Sequence, residues 1–247
     1  MVLRLHYNLE KLSVGLVVGI IVAASVGGIV EIAPLFTIDE TVEIPDDLRP
    51  LTPLELAGRE IYMREGCYAC HSQMIRTLAD EADRWGPYSV TSESAYDHPM
   101  LWGSKRTGPE LARLGEKYTD AWHVLHLMNP RDVVPESIMP AYPWLMDPLD
   151  TGGLSASLAA LARLGVPYDE TMIANAARDA DAQARPDSDA AGDFAGRYGE
   201  RPPVRAFDGD PARLTEMDAV VAYLQSLGLQ TDVTRPGDAT PSEGEAG

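Results

Sequence analysis

Cysteine is nearly absent from this chain: its 247 residues include two, Cys67 and Cys70. So low a count excludes a disulfide-stapled scaffold. It also excludes a closed cysteine-rich zinc site, which needs four ligands and here has no second cysteine pair. Basic residues are scarce as well. Twenty Lys and Arg stand against 38 Asp and Glu, a formal net charge of −18 at pH 7. An exterior that acidic argues against nucleic acid or anionic lipid as a surface partner, because both would be repelled. It leaves open two readings, steering of a basic protein partner and a generally acidic surface suited to a salty habitat; the acids are spread widely along the chain. Apolar residues still make up 45%, enough for a folded core of one or two domains.

Charge is missing altogether from one stretch. Between Lys11 and Glu31 lie 19 residues, Leu12 to Val30, almost all Val, Ile, Leu, Gly and Ala. As a helix they would span about 28 Å, close to the hydrocarbon thickness of a bilayer. Arg4 and Lys11 precede the run; Glu31, Asp39, Glu40, Glu43, Asp46 and Asp47 follow it, with no Lys or Arg before Arg49. The positive-inside rule places the N-terminus in the cytoplasm and the remainder outside. A cleaved signal peptide is the competing reading. The run is longer than a usual signal core, and Glu31-Ile32-Ala33-Pro34-Leu35-Phe36 is a poor cleavage site, so a retained anchor is expected over residues 1–33. Gly15, Gly19, Ala23 and Gly27 recur every four residues, which either permits close approach of another helix or reflects ordinary membrane-helix composition.

Both cysteines fall in Cys67-Tyr68-Ala69-Cys70-His71. C-x-x-C-H is the attachment signature of c-type haem. Each thiol adds across one vinyl group, two intervening residues match the vinyl spacing, and the next position puts an imidazole under the metal. A C-x-x-C redox pair has no need of the trailing histidine. The expected cofactor is one covalently bound haem c on Cys67 and Cys70, with His71 on the iron. Both cysteines being committed, a two-copper cluster cannot be built.

Residues 34–51 form a Pro- and acid-rich connector that reads as extended and non-helical. Thr52-Pro53-Leu54-Glu55 then carries a helix start, with Thr52 as N-cap, Pro53 at the first helical position and Glu55 completing a capping box. Leu54, Ala57, Ile61 and Tyr62 follow at helical spacing. Near the other end, Leu214 to Gly228 reads as a closing helix with Val220, Val221, Leu224 and Leu227 on its buried stripe. The expected fold is mainly α: one N-terminal transmembrane helix, then residues 52–229 as a cytochrome domain with long loops and an insertion at 151–213, then a disordered tail at 230–247.

For the other axial position the methionines after the motif are Met74, Met100, Met128, Met139, Met146, Met172 and Met217. Met74 is too close to Cys70 to reach the opposite face, and Met217 lies on the closing helix. Met139 sits in Pro135-Glu136-Ser137-Ile138-Met139-Pro140-Ala141-Tyr142-Pro143, where flanking prolines stiffen the loop. A thioether favours ferrous iron and raises the potential relative to a second histidine. His123 and His126, three apart on an expected helix, are the rivals, with a helix-surface or core contact as their plainer role; His98 reads as a turn residue.

The order of helix, C-x-x-C-H, irregular middle, methionine loop and closing helix resembles the class I cytochrome c fold. In that family a Gly-Pro-x-Leu segment lies on the proximal side, and its proline carbonyl accepts a hydrogen bond from the axial imidazole. Gly108-Pro109-Glu110-Leu111 matches it, which implies Pro109 in that role. The whole chain is similar to the mono-haem subunit of cbb3-type cytochrome c oxidase, CcoO or FixO. The resemblance rests on Arg64 through Arg76, Tyr96-Asp97-His98-Pro99, Trp102 through Pro109, Asn129 through Pro140 and Phe207 through Pro211. It implies a bacterial inner-membrane protein with a periplasmic haem domain and no oxygen-reducing centre of its own. Electrons would arrive from a di-haem cytochrome c subunit and pass to a catalytic haem–copper subunit. A free-standing, membrane-anchored electron carrier is the alternative. Lys105 and Arg106, adjacent cations, could pair with haem propionates, pair with partner carboxylates, or form a solvated turn. Between Asp179 and Arg205 the match thins, and the Ala-, Asp- and Gly-rich composition reads as flexible.

Overall fold

A computed structural model describes residues 6–7, 11–36, 44–103 and 105–231. The middle of the connector, Ser104 and the tail beyond 231 lie outside the described residues. The chain divides into two units, Met1–Glu43 and Ile44–Gly247. In the first, helix α1 (Ser13–Ile32, 20 residues) has no buried residue and is long and apolar enough to cross a membrane. At the usual rise it is about 30 Å long. The chain then enters a short 3₁₀ turn, Ala33–Phe36, rather than the fully extended connector the composition suggested. Pro34 is tolerated there because the first turn of a helix has no use for its missing N–H.

The second unit is helical, and among its described residues the single β feature is an isolated bridge between Pro148 and Thr215. Helix α2 (Pro53–Arg64) begins as its sequence requires. Thr52 Oγ accepts from Glu55 N at 3.2 Å, and the Glu55 carboxylate accepts from Thr52 N at 2.9 Å. Arg49 closes the box by a bidentate pair to Glu55 at 2.7 and 2.9 Å, so the buried carboxylate is fully partnered. Helix α3 is Ala79–Trp85 and α4 is Asp120–Met128. Helices α5 (Leu154–Arg163), α6 (Glu170–Ala184) and α7 (Ala191–Tyr198) build the insertion, and α8 (Glu216–Ser226) closes the domain.

The core sits where α2 packs on α8. Gly58 makes this possible: a Cβ there would stand 2.8 Å from Tyr223 Cβ and would run into the Ala219 carbonyl. One turn along, Tyr62 and Tyr223 meet edge to face with ring centroids 5.5 Å apart. Helix α8 has the expected stop, with Gly228 at φ +81°. Its burial differs from the single stripe read from its periodicity: every residue from Met217 to Ser226 is buried. Neighbours surround it, and its polar groups are bonded. Asp218 caps Thr215 N at 3.0 Å, and Gln225 donates to Tyr118 O at 2.9 Å.

The insertion also differs from expectation. Residues 179–205 hold the C-terminal end of α6 and all of α7, with Ala180, Ala182, Ala184, Phe194 and Tyr198 buried. Alanines give no bulky apolar signal, yet they let α6 pack closely, and its acids are neutralised in place. Asp179 is wholly buried and takes a bidentate pair from Arg197. The insertion is bonded to the start of α2: Thr52 Oγ donates to Gln183 Oε1 at 2.5 Å, and Tyr168 OH donates to Leu51 O at 2.7 Å.

Candidate haem-attachment site

Helix α2 ends at Arg64, two residues before Gly66, whose φ of +72° turns the chain as a β-carbon would resist. A 3₁₀ turn, Cys67–Ala69, follows, with His71 N bonded to Cys67 O at 3.0 Å. Both thiols are free. Cys67 is half-buried against the core and Cys70 is exposed, so the turn presents one thiol inward and one outward. Burial pushes the Cys67 thiol up to about 11, which keeps it neutral at ordinary pH.

Residues 70–72 run alongside residues 108–111. Gly108 N donates to Cys70 O at 2.9 Å, and Leu111 N donates to Ser72 O at 2.9 Å. Between these rungs His71 Nδ1 lies 2.8 Å from Pro109 O. A carbonyl can only accept, so Nδ1 carries the proton and the lone pair resides on Nε2. Gly108 lies flat against the ring; a Cβ there would come within 2.8 Å of both imidazole nitrogens.

Arg106 closes this region from behind, and here the structure corrects the sequence reading. It is neither a solvated turn residue nor free for an external acid. Its Nε donates to Ser72 Oγ at 2.6 Å, and its Nη2 reaches Met74 O at 2.8 Å, Glu81 at 2.8 Å and Glu110 at 3.1 Å. Arg106 and Arg76 together hold the Glu81 carboxyl well below its usual range. Lys105 remains exposed. Sequence reasoning missed Ser72, Glu81 and Glu110; the adjacency of Glu110 to the Gly-Pro turn was the available signal.

The Met139 loop returns to the same end of the domain. Met139 is half-buried and packs against the core. Tyr142 N donates to Leu127 O of α4 at 2.8 Å, and Trp144 Nε1 donates to Glu65, just before the motif, at 3.2 Å. The Tyr142 hydroxyl is pushed up by burial and then by Cys67 and Glu65, which places it beside the attachment turn. On α4, His123 is buried and His126 is half-buried; Trp122 stacks on His126 at 4.6 Å and on Tyr118 at 4.0 Å. His126 is held below the usual imidazole range by burial and then by the nearby His71. Buried His123 Nε2 and His126 Nδ1 have no hydrogen-bond partner. His98 stands apart on an exposed bend. Among the described residues no group of three or more His, Cys, Asp and Glu is arranged to hold a metal ion, so His123 and His126 do not join such a set.

Burial lowers His123 from 6.5 to about 4, with Asp120 opposing it and His126 adding to it. The folded state therefore resists protonation that the unfolded chain accepts. Stability is complete above pH 6.5 and is lost as pH falls toward 4, by at most about 3 kcal/mol at 1.36 kcal/mol per unit. His123→Leu should flatten that acid limb, read from denaturant midpoints at pH 7, 5 and 4.

A clamped C-x-x-C-H turn in a helical domain, together with one helix among the described residues long and apolar enough to cross a membrane, matches the layout of a membrane-bound cytochrome subunit. The family model described as cytochrome c oxidase, mono-heme subunit/FixO, matches residues 6–231, and the chain belongs to that family. It is thus the mono-haem subunit type of a cytochrome c oxidase, a membrane complex of several subunits. A search of curated proteins finds no match.

Proposed function

We propose that this chain is the mono-haem c subunit of a cbb3-type oxidase, relaying electrons from a di-haem cytochrome c subunit to the catalytic haem–copper subunit. The observation that carries the reading is the 2.8 Å approach of His71 Nδ1 to Pro109 O directly after the two free thiols. The residues fit a covalently attached haem. Cys67 and Cys70 would hold it through thioethers, and His71 Nε2 and Met139 Sδ would be the ligands to its iron. The unpartnered nitrogens of His123 and His126 suit a site completed by a further polar group.

When bound, the haem supplies a one-electron ferric/ferrous couple. The protein's part is to bind, orient and tune it. Pro109 O fixes the imidazole plane and raises the basicity of Nε2. Gly108 keeps the space beside the ring clear. The stiff Pro135–Pro143 loop, pinned to α4 through Tyr142 and to Glu65 through Trp144, holds the Met139 sulfur at one point. Oxygen reduction belongs to the catalytic subunit. The anchor α1 with its cytoplasmic N-terminus would leave the haem domain in the periplasm, where the di-haem donor would meet it.

Met139→Ala tests the axial assignment. The expected result is loss of the thioether-to-ferric charge-transfer band and a lower midpoint potential, with the covalent haem retained. An unchanged spectrum would remove Met139 from the iron.

A further inference from the structure

The bond between His71 and Pro109 joins two loop segments, and a hydrogen bond across loops is only as constant as whatever fixes the loops to each other. The residues that immediately follow these two, Ser72 and Glu110, are joined directly: Ser72 Oγ donates to Glu110 Oε2 at 2.5 Å. The same hydroxyl accepts from Arg106 Nε at 2.6 Å, so its proton is directed at the carboxylate. Glu110 Oε1 is occupied by Ala112 N at 2.8 Å. Arg106 Nη2 spans Glu110 and Glu81 and also holds Met74 O, while Nη1 pairs with Glu81 at 2.8 Å. Both carboxylates are nearly inaccessible, with side chains 1% and 6% exposed, against 23% for Arg106.

We propose that Arg106 is a positioning residue for His71: its guanidinium bridges Ser72, Glu110 and Glu81 and so holds constant the Nδ1–H···O=C bond from His71 to Pro109. The proposal rests on His71 being the iron's imidazole ligand. The shape of the fork is the reason an arginine stands here. Nε and Nη2 point at partners on different segments, and a lysine ammonium, one point charge, cannot reach both. Charge balance is the second reason, since without Arg106 two buried carboxylates would face each other with Arg76 alone to neutralise them.

The test uses the full chain in detergent with its haem in the ferric state. The hyperfine-shifted proton of His71 Nδ1 reports the bond directly through its exchange with solvent. In Arg106→Lys, and in Arg106→Gln combined with Glu81→Gln, which keeps the charge balanced so that folding is spared, exchange should be faster by about tenfold or more. The midpoint potential should shift in the same variants. Arg197→Gln is the control. It breaks the ion pair to buried Asp179 in the insertion and so matches the loss of stability, but it should leave the exchange rate within about twofold of the native value. Equal acceleration in Arg197→Gln, native exchange in both Arg106 variants, or full rescue by lysine would overturn the clamp. A native chain that carries no haem would overturn the ligand assignment together with the clamp, whereas a haem-loaded chain with uniform exchange overturns the clamp alone.

Discussion

Replacing Cys67 and Cys70 by serine together is expected to give a chain with no covalent haem and to abolish oxygen consumption by the complex that contains it. The chain has no other thiol, so nothing can substitute in forming a thioether. Haem staining after denaturing electrophoresis reads the first effect, and respiration of membranes with a reduced donor reads the second. Cys67→Ser alone should be the more damaging single change. Its side chain packs against the core beside α2, and a hydroxyl there loses both the attachment and an apolar contact. Cys70 is exposed, so its loss should cost attachment only. Staining that survives the double change would defeat the proposed cofactor linkage.

Gly58→Ala is expected to destabilise the domain by about 2 kcal/mol or more, against the direction helix propensity predicts. In an exposed helix interior alanine is favoured over glycine by about 1 kcal/mol. Here the added methyl group meets the Ala219 carbonyl, and a backbone carbonyl cannot rotate out of the way. Overpacking of this kind costs about 1–3 kcal/mol and occasionally more. The helices must separate, which also displaces Tyr62 from Tyr223 and, through the end of α2, the attachment turn. Gly196→Ala supplies the contrast. Gly196 lies in α7 with nothing near its would-be Cβ, so the same change there should stabilise, by up to about 1 kcal/mol. Urea denaturation of the two variants separates packing from propensity by the sign of the effect.

Much of the local structure was legible in the residues themselves. Thr52, Pro53 and Glu55 specify a helix start by side-chain chemistry that reaches no further than three residues, and the structure places both capping bonds there. Charge-free composition was enough to mark α1. What escaped was tertiary. The burial of α8 on every side could not be read from its own periodicity, because the neighbours covering its polar face come from elsewhere in the chain. Composition makes the alanine-rich segment look flexible because it counts bulky apolar residues. Its stability comes instead from close packing and from pairs such as Arg197 with Asp179, 18 positions apart. Arg106 shows the same limit, since its partners Ser72 and Glu81 lie 34 and 25 positions away.

The sequence by itself determined which stretch is long and apolar enough to enter a membrane, where the helices that open and close the second unit begin, and which two thiols stand beside an imidazole in a C-x-x-C-H motif. Each of these depends on neighbours within a few positions, or on composition alone. Only the tertiary structure decided that Gly58 must stay bare, that the Gly108-Pro109 turn lies against His71, and that Arg106 turns inward to two buried carboxylates. Those outcomes are set by which distant segments the packing of α2 on α8 brings within hydrogen-bonding range, and a linear string of residues does not contain that distance.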